Sequence, residues 1–266
     1  MELLRLVYKL KISVKVIQLY KDWLICFLDH FGLQRDKEVI CKLKNGIKYK
    51  VRTNSGDFYV INGVYIHNLY SRLIGHIKEA SVCVDVGAHI GIFSVFAANK
   101  AKNVKVYSYE PSPENFTLLK ENIRLNNLNK RIYPFMLGIC GKRGKRKLFL
   151  NGQDFVSCTL FPEQLNKKKH ITIECITLKD AFDFNKIERC DFLKMNCEGA
   201  ECEILFNAPK ECLKKIKTIT LQYHNNGDVQ ELAKFLRTNG FNVTLAKSDF
   251  LLFAENNLLV RRKNCF

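Results

Sequence analysis

The chain runs to 266 residues, enough for one α/β domain of ordinary size with a short extension and a full buried core. Its 43 lysines and arginines against 26 acids give a formal charge of +17, which favours contact with phosphates, anionic headgroups or nucleic acid but says nothing about fold. The 11 cysteines, odd in number and without CxxC or metal-finger spacing, argue against a disulfide framework or structural metal site and point to a reducing compartment. No stretch reaches the roughly 18 uninterrupted apolar residues of a membrane span, and the start of the chain lacks a compact apolar segment with a small-residue cleavage site. A cytoplasmic protein is expected.

Residues 1–33 form an amphipathic helical segment. Leu3, Leu6, Val7, Leu10, Val14, Ile17, Trp23 and Leu24 can line one side of one or two helices, with Arg5, Lys9, Lys15 and Lys21 largely elsewhere. Residues 1–31 can therefore lie on an anionic membrane surface, making the protein peripheral at the inner membrane, with Trp23 at headgroup depth. The alternative is a helix packed on the protein's own core or on a second copy. Residues 34–80 read as a lead-in of hairpins and a helix. Asn45-Gly46 separates EVICKLK from IKYKVRT, Asn62-Gly63 separates FYV from VYI, and Asn-Gly between β-prone runs is a strong hairpin signal. A helix through Leu69–Ile77 follows.

Residues 81–266 carry the main α/β domain. VCVDV, at 82–86, has the valine-rich pattern of a strand buried on both faces. It feeds a helix marked by Ile92, Phe93, Phe96 and Ala97 through the turn Gly87-Ala88-His89-Ile90-Gly91. A strand entering a helix through glycines brings bare backbone and a positive helix end to a ligand. Gly87 permits close approach, Gly91 lets helix and strand pack tightly, and Asp85 puts a carboxylate at the rim. A second strand, VKVYSYE, stops at Glu110, near the roughly 20-residue offset at which an acid grips ribose hydroxyls.

Strands and helices alternate from there, which predicts a mainly parallel sheet. Ser112 and Pro113 open a helix with Phe116, Leu119, Ile123 and Leu128 on its buried stripe. A third strand is expected near Ile132–Ile139, and residues 147–176 read as irregular or antiparallel structure above the sheet. Lys142–Lys147 and Lys167-Lys168-Lys169 read as solvated turns. DFLKM, at 191–195, is a fourth strand ending in the dense motif Asn196-Cys197-Glu198-Gly199-Ala200-Glu201. A fifth strand ends at Tyr223-His224, Asp228 caps a helix that Asn239-Gly240 stops, and strands at 241–246 and 250–254 complete the sheet.

VDVGAHIG, SYEPSPENF, LKENIRLNN and KMNCEGAE together resemble the FkbM-type S-adenosylmethionine-dependent methyltransferases, closely over about residues 80–225. The resemblance implies a Rossmann-like class I methyltransferase fold: a mostly parallel seven-stranded sheet with an antiparallel last strand, here preceded by the helical and hairpin extension. It implies S-adenosyl-L-methionine as cofactor, with Asp85, Gly87, Ala88 and Gly91 along the methionine moiety and Glu110 on the ribose. His89 would present its backbone, Met136 and Leu137 would lie near the adenine, and Asn196 would face the transferred methyl. The family usually has aspartate where this chain has Asn196, and an amide orients groups but takes no proton. Glu198 and His224 are the remaining candidate bases, while Glu201 is also read as satisfying free N–H groups in a helix's first turn.

The expected activity is O-methylation of a hydroxyl on a small-molecule, glycan or lipid-linked acceptor, such as a sugar or glycolipid. An RNA methyltransferase, suggested by the charge, and a cofactor-binding, non-catalytic, membrane-recruited protein are the alternatives.

Overall fold

The computed structural model describes residues 13–30, 32–33, 37–151, 154–160, 169–224, 227–246 and 250–261. The expectations for Leu3, Arg5, Leu6, Val7, Lys9 and Leu10, and for Lys167 and Lys168, lie outside these.

Among the described residues, thirteen strands fall into three sheets. The largest has seven strands: β3 (Val82–Val86), β4 (Lys105–Tyr109), β5 (Ile132–Phe135), β10 (Phe192–Met195), β11 (Thr218–Gln222), β12 (Phe241–Ala246) and β13 (Leu251–Asn256). Their order is β12-β13-β11-β10-β3-β4-β5. All neighbours pair in parallel except β13, which runs antiparallel to both β11 and β12. The expected class I methyltransferase sheet, with its reversed last strand, is therefore present. Successive side chains of a strand point to opposite faces. Cys83 and Phe192 accordingly enter one core, Val84 and Leu193 the other.

The first core lies under α4 (Ile92–Lys100) and α5 (Pro113–Leu125), and residues of the lead-in join it. Residues 13–19 and α1 (Trp23–His30) are helical. Val16, Tyr20 and Cys26 are buried in the first core, whereas Val14, Ile17, Trp23 and Leu24 remain exposed. The described members of the predicted stripe are thus the exposed ones, and a different face, through Val16, Tyr20 and Cys26, packs on the protein itself. No described helix is long and apolar enough to cross a membrane.

The hairpin at Asn45-Gly46 forms as β1 (Glu38–Lys42) against β2 (Lys48–Arg52). The hairpin expected at Asn62-Gly63 does not: Asp57–Tyr65 is a helix, α2. Phe58, Ile61 and Val64 recur at helical spacing and bury one face, so packing overrides the local Asn-Gly signal. A short helical turn (Ser71–Leu73) and α3 (Ile74–Lys78) replace the single helix expected through 69–77.

The second core is covered by α6 (Leu178–Phe184), α7 (Glu201–Phe206), α8 (Lys210–Lys214) and α9 (Val229–Thr238), with α10 (Asn257–Arg261) closing the described chain. Asp228 caps α9 by accepting from the N–H groups of Gln230 and Glu231. Ser112 precedes Pro113 at the start of α5 but makes no side-chain capping bond; its hydroxyl donates to Glu114 instead. The strand expected over Ile132–Ile139 is split. Ile132–Phe135 forms the edge of the large sheet, and β6 (Gly138–Ile139) turns away to a four-stranded sheet with β7 (Gly144–Asn151), β8 (Asp154–Thr159) and β9 (His170–Ile176). The order there is β6-β9-β7-β8, mostly antiparallel, and it encloses a third small core.

Buried cysteines supply thiols to all three cores. Cys41 and Cys83 sit in the first core, Cys190 and Cys212 in the second, Cys140 and Cys175 in the third.

Candidate functional site

After β3 the chain builds outward through β4 and β5, then returns to the other side of β3 with β10 and β11. Strand order therefore reverses between β3 and β10, the place where open α/β sheets leave a crevice at their carboxyl ends. A cavity of about 750 Å³ opens there, lined on the sheet side by Gly87, Ala88, His89, Glu110, Asn196 and His224.

The glycine turn is shaped by its backbone. Gly87 has φ +72°, and a Cβ on it would collide with the backbone carbonyl of Asn196, so the turn crosses directly over the end of β10. Gly91 also has positive φ, and its missing Cβ leaves room for the Leu119 side chain of α5 rather than for the strand. His89 adopts φ 54°, and its backbone N–H donates to Glu110 Oε2 at 2.8 Å. Glu110 Oε1 accepts from Ser112 N at 3.0 Å and from Asn115 Nδ2 at 3.3 Å. The carboxylate is thus fixed from both sides at the tip of β4.

Four residues expected along a cofactor are placed elsewhere. Asp85 does not reach the rim. It is fully buried, beside Lys194 of β10 in the strand register, with Oδ1 2.9 Å from Lys194 Nζ and Oδ2 accepting from Ser94 Oγ at 2.6 Å. Gly91 is not among the lining residues. Met136 points to solvent and Leu137 packs on the second core, because the chain leaves the large sheet between β5 and β6.

The candidate catalytic residues come together. Asn196 N donates to Val86 O at 3.0 Å, while its buried side-chain Oδ1 has no hydrogen-bond partner. Glu198 takes φ 54°, and Thr159 Oγ1 donates to its carbonyl at 2.7 Å. Glu201 secures this turn, accepting from Cys197 N at 2.8 Å and Gly199 N at 3.0 Å. His224, at the tip of β11, has Nε2 3.5 Å from Glu198 Oε2 and Nδ1 3.3 Å from Glu201 Oε1, the latter off the line of a good hydrogen bond. Burial alone would lower the imidazole's pKa, but Glu201 and then Glu198 outweigh it and hold the pKa above its ordinary value.

Sequence reasoning missed two arrangements. Lys194 lines the cavity and is held by Asp85, by Gly87 O at 2.8 Å and by Val86 O at 3.4 Å. Burial pushes its pKa down, yet Asp85 more than offsets this and keeps it charged. A lysine inside an otherwise apolar strand was the available signal. The other is Asp57, fully buried at the start of α2. It accepts from Arg52 N, Nε and Nη2 at 2.8, 3.0 and 2.9 Å and lies 3.1 Å from His89 Nε2. Burial raises its pKa, but His89 and then Arg52 bring the carboxyl down to about 2. Arg52 also donates to Asn115 Oδ1 at 2.8 Å, linking β2 to the partner of Glu110. The His89 imidazole, which the sequence left without a role, is the tie between the lead-in and the glycine turn.

Among the described residues no cluster of His, Cys, Asp and Glu could hold a metal ion. The family described as "Methyltransferase FkbM domain" matches residues 85–243. Among similar proteins is methyltransferase sdnD of Sordaria araneosa, 21% identical over 78% of this chain and 94% of its own length. The 31-O-demethyl-FK506 methyltransferase FkbM of Streptomyces tacrolimicus is 22% identical over 84% of this chain and 96% of its own. Hexuronic acid methyltransferase AglP of Haloferax volcanii is 23% identical over 72% of this chain and 75% of its own.

Proposed function

The chain belongs to the FkbM methyltransferase family, and from that premise we propose that it transfers a methyl group from S-adenosyl-L-methionine to a hydroxyl oxygen of a sugar, glycolipid or related metabolite. The observation that carries the reading is the meeting of the glycine turn, Glu110 and the Asn196–His224 cluster around one cavity at the strand-order reversal.

The residues fit the cofactor. Gly87 leaves a bare backbone cradle, the Glu110 carboxylate suits ribose hydroxyls, and the unpartnered Asn196 Oδ1 is an acceptor for an ammonium or hydroxyl donor. When bound, the cofactor supplies an electrophilic methyl group. Gly87, Ala88 and Glu110 would hold it, and the walls of the cavity would align the incoming oxygen, which lowers the barrier through orientation. His224 takes the hydroxyl proton as the oxygen–carbon bond forms, with Glu201 and Glu198 stabilising the resulting imidazolium. Asn196 orients; it carries no proton. One relative's own name supports an oxygen acceptor: it is a 31-O-demethyl-FK506 methyltransferase.

The test is incubation of the purified chain with isotopically labelled S-adenosylmethionine and small-molecule, lipid and glycan extracts. Mass spectrometry should find a labelled methyl ether and acceptor-dependent formation of S-adenosylhomocysteine. Calorimetry that registers no heat with either form of the cofactor would end the proposal.

A further inference from the structure

The lining of the cavity combines two chemistries. Besides the residues at the strand tips, its lining includes Val60 and Val64 of α2, Leu148 of β7 and Ile173 of β9, all aliphatic, with His67 just past α2. Carboxylates at the cavity are Glu110, fixed by backbone and Asn115 donors, and Glu198, which faces His224. Among the described lining residues, Lys194 is the only lysine or arginine, and its ammonium is taken up by Asp85 and the carbonyls of Gly87 and Val86. The excess of basic residues that gives the chain its +17 charge therefore does not line this cavity. Solvated charge on the outside and apolar walls with carboxylates inside select for different things.

We infer that the acceptor entering this site is an uncharged alcohol whose hydroxyl-bearing carbon is flanked by apolar surface, and that Val60 and Tyr59 of α2 belong to the face that selects it. This rests on the methyl-transfer reading and narrows it to lipid-borne or otherwise apolar alcohols, away from uronates, phosphorylated sugars and polynucleotides. An anionic acceptor group would lose its hydration against aliphatic side chains and find Lys194 already held by Asp85 and His224 already facing Glu198 and Glu201. An apolar alcohol gains by burying its carbon skeleton there and brings the one polar group that His224 and Asn196 can hold.

The experiment uses the full chain saturated with S-adenosylhomocysteine and titrated in a calorimeter with octanol and, separately, octanoate. These share an apolar chain and differ in charge. Octanol should bind at least tenfold more tightly than octanoate. Val60→Asp, a half-buried position, should weaken octanol at least tenfold while leaving the heat of S-adenosylhomocysteine binding unchanged. Tyr59→Glu, on the exposed outer turn of the same helix, should weaken it several-fold with no effect on folding. Octanoate binding as tightly as octanol, neither ligand binding, or indifference of octanol to both variants would overturn the inference. Absence of heat with S-adenosylhomocysteine itself would remove the methyl-transfer reading instead, and this narrowing with it.

Discussion

His224 draws its properties from neighbours that pull in one direction. Because Glu201 and Glu198 raise its pKa, the acidic limb of the rate–pH profile should fall at an apparent value above the ordinary 6.5. The sign for stability is opposite. A raised folded-state pKa contributes stability that is complete below 6.5 and lost as pH rises through the folded value, so the chain should be most active where this contribution is fading. His224→Asn should lower kcat by about 10²–10⁴, abolish that limb and leave cofactor affinity intact. Glu110 has its proposed role toward the cofactor instead. Glu110→Ala removes a charged acceptor worth about 1.5–3 kcal/mol, so S-adenosylhomocysteine should bind roughly ten- to a hundredfold more weakly by calorimetry. The place of Glu110 at a strand tip beside the glycine turn was legible in the sequence, because an apolar run that ends in an acid marks where the strand stops. Asp85 looked equally legible and was misplaced, because its partner Lys194 is more than a hundred positions away and only strand register brings them together.

The elements show why one Asn-Gly was read correctly and the other was not. At Asn45-Gly46 the flanking runs alternate and pair, whereas at Asn62-Gly63 the flanking apolar residues fall on one helical face. That helix begins with Asp57, whose carboxylate joins it to β2 and to the glycine turn. Its pKa of about 2, against 3.8 unpaired, corresponds to about 2 kcal/mol of stability present above pH 3.8 and lost as pH falls toward 2. Asp57→Asn should lower the melting temperature at pH 7 and flatten the acid limb of stability between those values, as read by thermal melts across pH. β3 and β10 offer a second test. Lys194→Met strands a buried carboxylate and should cost about 3–5 kcal/mol by denaturant unfolding, whereas Lys194→Met with Asp85→Leu should recover much of that loss.

For the molecule as a whole, strand alternation after residue 82 was enough to specify the seven-stranded sheet, because each buried strand and amphipathic helix carries its own period. The four-stranded sheet was seen only as irregular or antiparallel structure; β7 and β8 adjoin in sequence, but β6 and β7 pair with β9 across a long stretch of chain and have no periodic marker of where they join. The apolar part of the cavity's lining was not legible at all, since it is assembled from α2, β7 and β9, which no motif connects. One core runs from Val16 through the lead-in to Phe192. Circular dichroism and tryptophan fluorescence should therefore report the same unfolding midpoint, although Trp23 lies in the extension and most helices do not.

The buried thiols supply their own means of watching this molecule breathe. Burial drives Cys41 and Cys212 up to about 12, so neither forms a nucleophile while its layer stays shut. With a buried thiol in every layer, timed alkylation followed by peptide mapping would yield an opening rate for each layer from the native chain, with no label introduced.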